Sequence, residues 1–252
     1  MRLTVLGGCD AWPAAGSACS GYLVEHDGYR VLVDPGYAVV PRLLQLLPAS
    51  AVDAVLVSHG HPDHCADLSP LLRARTLADS PPPPLPVLAP PGAVDDVLAL
   101  DRMAGRTDAV EVLGLRDGGT ERLVPFTVTA ALLPHHVPNA GMRMTAGGEV
   151  LAYTGDSGPD RAVVDLAADA DVLLIEATWP DAVPAEHAGL LCSGTLAGEQ
   201  AVQAGARRTL LTHLRPGTAA ADAVAAATAA GASRVDVAVA GLVLPALRDG
   251  AT

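Results

Sequence analysis

The sequence HGHPDH at positions 59–64 constrains this chain more than any other feature. It places three imidazoles and one carboxylate directly after the apolar run 54–57, which predicts a short buried strand. Imidazole and carboxylate groups are typical ligands of zinc and similar divalent ions. Buried without a metal, they would leave several polar atoms unpaired, each at a cost of about 1–3 kcal/mol. We therefore predict that the loop after this strand binds a transition metal.

Composition narrows the class of protein. The chain has 252 residues with a formal net charge of −12, and it contains one Phe, two Trp and four Tyr, so its core must consist mainly of Ala, Val and Leu. This length suits one large α/β domain or two small ones, and we expect a single domain over 1–252. Phosphate binding along a nucleic acid needs a basic surface, so the acidic charge argues against long nucleic acid as a partner. A small-molecule substrate fits better.

The cysteines and the N-terminal segment predict the compartment. None of the four cysteines forms a C-x-x-C pair, so we expect no disulfide framework. The first apolar run meets Gly7 too early for a signal peptide, and no apolar stretch is long enough to cross a membrane without Gly, Pro or charge. We expect a cytoplasmic protein without membrane association.

Hydrophobic patterning predicts strands and turns in the first half of the chain and alternating helices and strands in the second. The dipeptides at 27–28 and 147–148 predict hairpin turns. Other expected elements include helices over 39–47 and 93–103 and a strand over 123–133. The proline run 81–84 marks either a domain boundary or a surface crossover, and the strand predicted directly after it favours the crossover. Two sheets packed face to face with helices outside would accommodate this pattern.

Further ligand-type residues follow apolar strands elsewhere in the chain. These residues are His135, Asp156 and His213, each placed just after a predicted strand. Strand ends can bring distant segments to one rim, where a rigid scaffold presents them. Taken alone, Asp156 reads as a turn or cap residue, and His136 competes with His135 for the ligand role. Together with residues 59–64, the three complete a set large enough for two metal ions.

In their order along the chain, these motifs resemble the metallo-β-lactamase superfamily. Within it they are most similar to the ribonuclease Z-like and cyclic-nucleotide phosphodiesterase-like branch. The similar segments are Leu6-Gly7-Gly8, Ser20-Gly21-Tyr22-Leu23, Asp34-Pro35-Gly36, residues 59–64, His135 with Pro138, Gly141 and Arg143, residues 153–158, Ile175-Glu176-Ala177-Thr178 and Leu211-Thr212-His213. The resemblance covers nearly the whole chain and implies an α/β fold, the four-layer αββα sandwich.

The resemblance also implies two divalent metal ions. Zinc is the first expectation, and manganese or iron would suit the same ligands. His59, His61 and His135 would bind the first ion, and Asp63, His64 and His213 the second. Asp156 would bridge both ions, so that Asp63 and Asp156 belong to the catalytic set. Asp34 would orient a histidine ligand from behind, unless it is a plain turn residue.

The chain departs from ribonuclease Z at positions that bear on proton transfer. Ile175 stands where ribonuclease Z has a histidine before its Glu-Ala-Thr motif, and Leu191 replaces a second histidine. His187 lies nearby and either compensates as a catalytic residue or is a solvated loop histidine. Arg143 either contacts a substrate phosphate or is an ordinary sheet-face arginine. The arm that grips tRNA is also missing, because only a hairpin's length follows Arg143.

These observations predict a dinuclear metal-dependent hydrolase. The first expectation is a phosphodiesterase acting on a small phosphodiester, such as a cyclic nucleotide, through a metal-bridging hydroxide. The alternative is an ester, lactone or thioester hydrolase of a biosynthetic pathway, motivated by the two missing histidines. A metal-binding regulatory protein is the third hypothesis, and the complete ligand set argues against it. Relatives often form dimers, so a homodimer stays open.

Overall fold

The computed structural model describes residues 1–12, 14–100 and 109–248. The strands in chain order are β1 (Arg2–Gly7), β2 (Gly21–His26), β3 (Tyr29–Val33), β4 (Ala54–Leu56), β5 (Leu85–Ala89), β6 (Val110–Gly114), β7 (Thr120–Leu123), β8 (Phe126–Leu133), β9 (Asn139–Ala146), β10 (Glu149–Tyr153), β11 (Val172–Glu176), β12 (Thr209–Thr212), β13 (Val235–Val237) and β14 (Val243–Leu244). The α-helices are α1 (Val39–Leu43), α2 (Pro62–Cys65), α3 (Leu68–Thr76), α4 (Asp95–Ala99), α5 (Arg161–Leu166), α6 (Gly194–Ala204) and α7 (Ala220–Ala229), and short 3-10 turns span Ala49–Ala51 and Ala185–His187.

Two mixed sheets form the centre of the molecule. Among the described residues, one seven-stranded sheet has the order β14-β1-β2-β3-β4-β5-β6 and the other the order β13-β12-β11-β10-β9-β8-β7. Their inner faces share one apolar core, to which Tyr22, Leu56, Met142 and Leu174 contribute. The outer face of the first sheet packs against α1, α3 and α4, and that of the second against α5, α6 and α7. The predicted αββα sandwich is confirmed.

Parallel strands bring the ligand-bearing loops to one edge. β3, β4 and β5 run parallel in the first sheet, and β10, β11 and β12 run parallel in the second. β8 points the same way as β10, because both are antiparallel to β9 between them. The two sheets meet at this edge, where the N–H of Ala140 donates to the carbonyl of Ser58 at 2.8 Å. The loops after β4, β8, β10 and β12 therefore open towards one another.

Local sequence accounts for several boundaries. Asp27 and Gly28 have φ of 47° and 83°, the left-handed pair that a tight hairpin between twisted strands requires. The predicted hairpin at 147–148 also forms and joins β9 to β10. α6 begins after Ser193, whose hydroxyl accepts the N–H of Leu196 at 3.3 Å, and ends at Gly205 with φ 68°.

Other predicted boundaries were wrong. The strand expected over 123–133 is two strands, because Val124 and Pro125 turn between β7 and β8 and proline cannot donate to a ladder. The helix expected over 39–47 ends at Leu43. The helix expected over 93–103 is α4, and residues 101–103 of that prediction lie outside the described residues. The proline run 81–84 connects α3 to β5 as a crossover, and a single domain over 1–252 stays a prediction.

Among the described helices, none combines the length and the apolar character that crossing a membrane requires.

Candidate metal centre

The backbone around residues 59–64 divides the ligand-type side chains into two groups. His61 is extended, with φ −68° and ψ 142°, and α2 begins at the next residue. Pro62 suits the first position of a helix, because that position needs no N–H donor. The chain is thus extended before Pro62 and helical after it. Because of this change, the side chains of His59 and His61 lie in one group and those of Asp63 and His64 lie in the other.

His135, after β8, completes the first group with His59 and His61. The ligand atoms of the three lie within 4.8 Å of one another. Nδ1 of His61 is 3.1 Å from Nε2 of His59 and 3.2 Å from Nε2 of His135. Three imidazole nitrogens from two separate loops therefore face one point.

The second group contains Asp63, His64, Asp156 and His213, all of them buried. Oδ2 of Asp63 lies 3.1 Å from Nε2 of His64 and 3.2 Å from Nε2 of His213. Nε2 of His213 is also 3.2 Å from Oδ2 of Asp156. His213 reaches this point with φ 60°, and its N–H donates to the carbonyl of Gly8 at 2.9 Å.

Asp156 lies between the two groups. Its Oδ1 is 3.2 Å from Nε2 of His64, while its Oδ2 is 3.9 Å from Nε2 of both His59 and His135. Asp63, the other carboxylate among the described candidate ligands, contacts His64 and His213, which both belong to the second group. Asp156 therefore faces histidines of both groups, and its bridging role stays a prediction.

Asp34 supports His64 from behind. Its Oδ2 accepts from Nδ1 of His64 at 2.7 Å, from the hydroxyl of Tyr153 at 2.6 Å and from the hydroxyl of Ser58 at 2.6 Å. Its Oδ1 accepts the N–H of Ser58 at 2.7 Å. A proton on Nδ1 leaves Nε2 of His64 free to face Asp63 and Asp156. The expectation that Asp34 orients a histidine agrees with this contact.

A relay of two side chains, Thr178 and Glu176, supports His213. Its Nδ1 lies 3.0 Å from the hydroxyl of Thr178, which donates to Oε1 of Glu176 at 2.6 Å. Glu176 also accepts the N–H of Ser157 at 2.6 Å and the N–H of Cys192 at 3.1 Å. Burial and the charge of Asp156 raise the pKa of Glu176 to about 8, although these donors oppose the rise.

Two rings of the first group also contact supporting groups through Nδ1. Nδ1 of His59 is 3.0 Å from the hydroxyl of Ser58, and Nδ1 of His135 is 3.2 Å from the carbonyl of Leu190. Tyr153 and Thr178 lie in the sequence motifs and Ser58 directly precedes one, but their supporting roles were not predicted. For Ser58 the available signal was a hydroxyl directly before a motif histidine, and for Thr178 a hydroxyl two residues after a motif carboxylate.

Burial lowers the pKa of histidines in the first group, whereas nearby carboxylates raise the pKa of His213 in the second. Burial lowers the pKa of His59 well below its usual value and that of His135 to about 4. Burial also opposes protonation of His213, but Asp156 and Asp63 outweigh it and raise its pKa to about 9. Burial works against the ionised form of Asp156 as well, yet the facing histidines hold its pKa below the usual range.

The residues present fit divalent metal ions. Nε2 of His64 and Oδ1 of Asp156 are 3.2 Å apart, yet both are buried without a hydrogen-bond partner. Leaving such atoms unpaired costs about 1–3 kcal/mol each, whereas a cation would satisfy both. Imidazole nitrogens and carboxylate oxygens without thiolates suit zinc, manganese or iron.

His187 belongs to neither group and lies at the rim of the histidine cluster, which consists of His59, His61 and His135. Its ring stacks on Trp179, with centroids 5.5 Å apart and an interplanar angle of 26°, and faces His136 at 6.0 Å. His136 is exposed and lies 5.2 Å from the ring of His135. Nδ1 of His187 is buried without a hydrogen-bond partner.

Arg143 lies away from the histidines. Its Nη1 donates to the carbonyls of Leu166 at 2.9 Å and Ala168 at 2.8 Å, at the end of α5. A cation suits this place, because the last carbonyls of a helix are unpaired and carry partial negative charge. The contact of Arg143 with a substrate phosphate stays a prediction, and because these donors already bind backbone carbonyls we leave Arg143 out of the proposed site.

The two residues that replace histidines offer no substitute. Ile175 is buried in the apolar core between the second sheet and its helices. The Leu191 side chain carries no polar atom, and its N–H donates to the carbonyl of His187 at 3.2 Å. Neither can transfer a proton.

Comparison with known proteins identifies the family. Residues 29–214 match the model of the beta-lactamase superfamily domain. The probable metallo-hydrolase YhfI of Bacillus subtilis is 34% identical over 219 residues, covering 85% of this chain and 87% of YhfI. The crystal structure of YhfI covers 96% of this chain and 98% of its own, with 30% identity and a TM-score of 0.87. The chain belongs to the beta-lactamase superfamily, as the motifs predicted.

A ribonuclease Z and a human tRNase Z are more distant matches. A ribonuclease Z of Mycolicibacterium gilvum is 30% identical over 242 residues, covering 86% of this chain and 85% of the relative. The structure of the short form of human tRNase Z has a TM-score of 0.76 at 22% identity, covers 97% of this chain and 98% of its own, and shares the fold. The protein is a metal-dependent hydrolase, and its family implies divalent metal binding.

Proposed function

We propose that this protein is a dinuclear phosphodiesterase that hydrolyses a small phosphodiester, with a cyclic nucleotide as the first candidate. The position of Asp156 carries the proposal, because its two oxygens face histidines of both groups. His59, His61 and His135 would hold one ion. Asp63, His64 and His213 would hold the other, and Asp156 would hold both. The relative named ribonuclease Z supports phosphodiester chemistry, since a ribonuclease cleaves such bonds.

The chain's own groups prepare this site. When bound, two divalent ions, zinc foremost, would lower the pKa of water and neutralise charge on the attacking and leaving oxygens. Asp34 holds the ring of His64, and Thr178 with Glu176 holds the ring of His213. Rings held in this way need little reorganisation when substrate arrives.

His187 is the candidate that protonates the leaving oxygen. Its Nδ1 has no protein partner, and its ring lies beside His136 at the rim of the histidine cluster. Ile175 and Leu191 cannot serve. An imidazole can both donate and accept a proton, which suits a group that gives a proton in one step and regains it later.

A small substrate suits the surroundings. The segment after Arg143 is the tight β9–β10 hairpin, so no extended arm for a polynucleotide projects there. The net charge of −12 would also repel a long polyanion. A cytoplasmic location is part of the proposal, and a homodimer stays open, since only the resemblance suggests it.

Hydrolysis of an ester, lactone or thioester is the second candidate. The observation that favours it is the apolar environment of Ile175 together with the remote position of Arg143. A carbonyl substrate would need less cationic support than a phosphodiester, because less charge develops on its oxygens.

The test compares substrates on protein loaded with zinc, manganese or iron(II). We expect hydrolysis of cyclic AMP or bis(p-nitrophenyl) phosphate that depends on added metal, with loss of turnover in Asp156→Ala. His26→Gln is the matched control, because His26 lies against Phe126 away from the cluster. Turnover of p-nitrophenyl acetate alone would favour the second candidate. No turnover of any substrate, with two ions bound per chain, would overturn both.

A further inference from the structure

A cavity lies next to the segment that directly follows His213. The chain leaves β12 through His213 and continues through Leu214, whose carbonyl accepts the N–H of Asp10 at 3.3 Å. The cavity has a volume of about 360 Å³ and is lined by residues 8–9, 16–18, 214–218, 220 and 237–240. That volume is in the range of sites for small molecules, about 300–1,000 Å³.

Arg215 stands at this cavity and is held by an aromatic ring. Its Cζ lies 5.7 Å from the ring centroid of Trp179, within the range of a cation–π contact. Oδ2 of Asp10 is 4.0 Å from Nε of Arg215, which is too far for a hydrogen bond, and the arginine side chain is 55% exposed. The guanidinium is therefore oriented by Trp179 and keeps donors for a ligand.

Trp179 connects this arginine to the rim of the histidine cluster. The indole that contacts Arg215 also stacks on the ring of His187 at 5.5 Å. Arg215 thus belongs to both features: it lines the cavity, and its head group lies on the same indole as the proposed proton donor. Arg143, in contrast, donates hydrogen bonds to backbone carbonyls.

We propose that the cavity binds the part of the substrate that does not react and that Arg215 recognises the phosphate. This inference rests on the proposed function and narrows its substrate class to nucleotides. A planar guanidinium matches two phosphate oxygens at once. The remaining lining contains no Asp, Glu, Lys or Arg; it offers the hydroxyls of Ser17 and Thr218 and the thiol of Cys9 among apolar side chains, which suits a nucleoside. In a chain of net charge −12, a cation at this place offsets general repulsion of an anion.

The binding test uses AMP and adenosine as probes on the metal-loaded protein. Isothermal titration calorimetry should show AMP affinity about tenfold lower in Arg215→Ala, as expected for one charge-assisted contact. Adenosine affinity should stay unchanged in that variant, and Arg215→Lys should recover part of the AMP affinity. Arg161→Ala is the matched control, since Arg161 is an exposed arginine paired with Asp165 on α5.

Filling the cavity tests the second half of the proposal. Thr218→Trp should weaken adenosine and AMP alike, because the indole would occupy the nucleoside position. In steady-state assays of bis(p-nitrophenyl) phosphate hydrolysis, Arg215→Ala should raise KM more than it lowers kcat. Thermal unfolding of each variant shows whether it remains folded.

The outcomes separate this inference from the proposed function. Wild-type AMP affinity in Arg215→Ala, or wild-type adenosine affinity in Thr218→Trp, would overturn the subsite while phosphodiester hydrolysis still stood. Arg215-dependent AMP binding in a protein that cleaves no phosphodiester would instead overturn the proposed function and leave the nucleotide site in place.

Discussion

Oδ2 of Asp34 lies 2.7 Å from Nδ1 of His64, although 30 residues separate them in the chain. This contact determines which ring nitrogen faces the second ligand group, and Tyr153 and Ser58 hold the carboxylate in turn. Asp34 has φ 47°, an uncommon conformation for a residue other than glycine. The backbone is therefore bent at the residue whose side chain orients the candidate ligand.

Replacing Asp34 with Asn should weaken metal binding without removing a ligand. The amide can no longer accept from all of its present donors, so the ring of His64 loses its orientation. We expect zinc affinity to fall about 10- to 100-fold. Competition with a chromophoric chelator measures it. Asp53→Asn is the control, because Asp53 accepts the N–H of Arg30 at 2.8 Å in the β3 region. Equal zinc affinities in both variants would contradict the role of Asp34.

Replacing Glu176 with Gln should weaken the support of His213 and reduce stability. The carboxylate accepts from Ser157, Thr178 and Cys192, and an amide has only one acceptor oxygen for these donors. A buried donor left unpaired costs about 1–3 kcal/mol in the free energy of unfolding. Urea denaturation of the zinc-loaded protein measures this loss. An unfolding free energy equal to wild type would show that the relay is not needed.

Removing metal should destabilise the folded protein. The second group buries Nε2 of His64 and Oδ1 of Asp156 without hydrogen bonds, so the folded state gains when a cation binds there. Zinc at a hundred times its dissociation constant should stabilise by about 2.7 kcal/mol. Thermal unfolding with EDTA and with zinc compares the two states. Asp156→Ala should show a smaller zinc-induced shift in Tm, and identical shifts would argue against Asp156 as a ligand.

Replacing Gly155 with Ala should disrupt the loop that carries Asp156. Gly155 has φ +59°, and a Cβ there would collide with Oδ1 of Asn139 and lie 2.8 Å from Cβ of Ser58. Asn139 holds this loop through the carbonyls of Thr154 at 2.9 Å and Asp156. Gly148→Ala is the control, because it has φ +76° but open space around it. The left-handed conformation alone costs about 1–2 kcal/mol, so Gly155→Ala should lose more stability than the control. Equal losses by urea denaturation would exclude the collision.

Replacing Arg143 with Ala should reduce stability and leave substrate affinity alone. The side chain holds the carbonyls of Leu166 and Ala168, and losing these bonds should cost about 1–3 kcal/mol of unfolding free energy. Denaturation and steady-state kinetics on the same preparation separate the two roles. A raised KM with unchanged stability would contradict this prediction and support a contact between Arg143 and substrate.

The hairpin at Asp27-Gly28 and the histidine loop show why much of the fold was predictable. Both depend on neighbouring residues, so their conformation follows from local chemistry: left-handed turn residues in one case, and an apolar strand followed by proline in the other. The turn at Val124-Pro125 was missed because Leu123, Val124 and Phe126 are all apolar and continue the pattern of β8. The pairing of β7 with β8 shows that Leu123 belongs to the other strand.

By itself the sequence determined the superfamily, the sandwich and the set of candidate ligands, because those signals lie in contiguous motifs whose order along the chain is visible. Only the tertiary structure decided that Arg143 donates to carbonyls at the end of α5, while Arg215 lies on Trp179 beside a cavity. It also decided that Ser58, Tyr153 and Thr178 support ligand residues. The physical reason is that a side chain's partner depends on strand direction and on which face of a sheet the residue occupies. Those relationships arise between segments that meet only when the chain is folded.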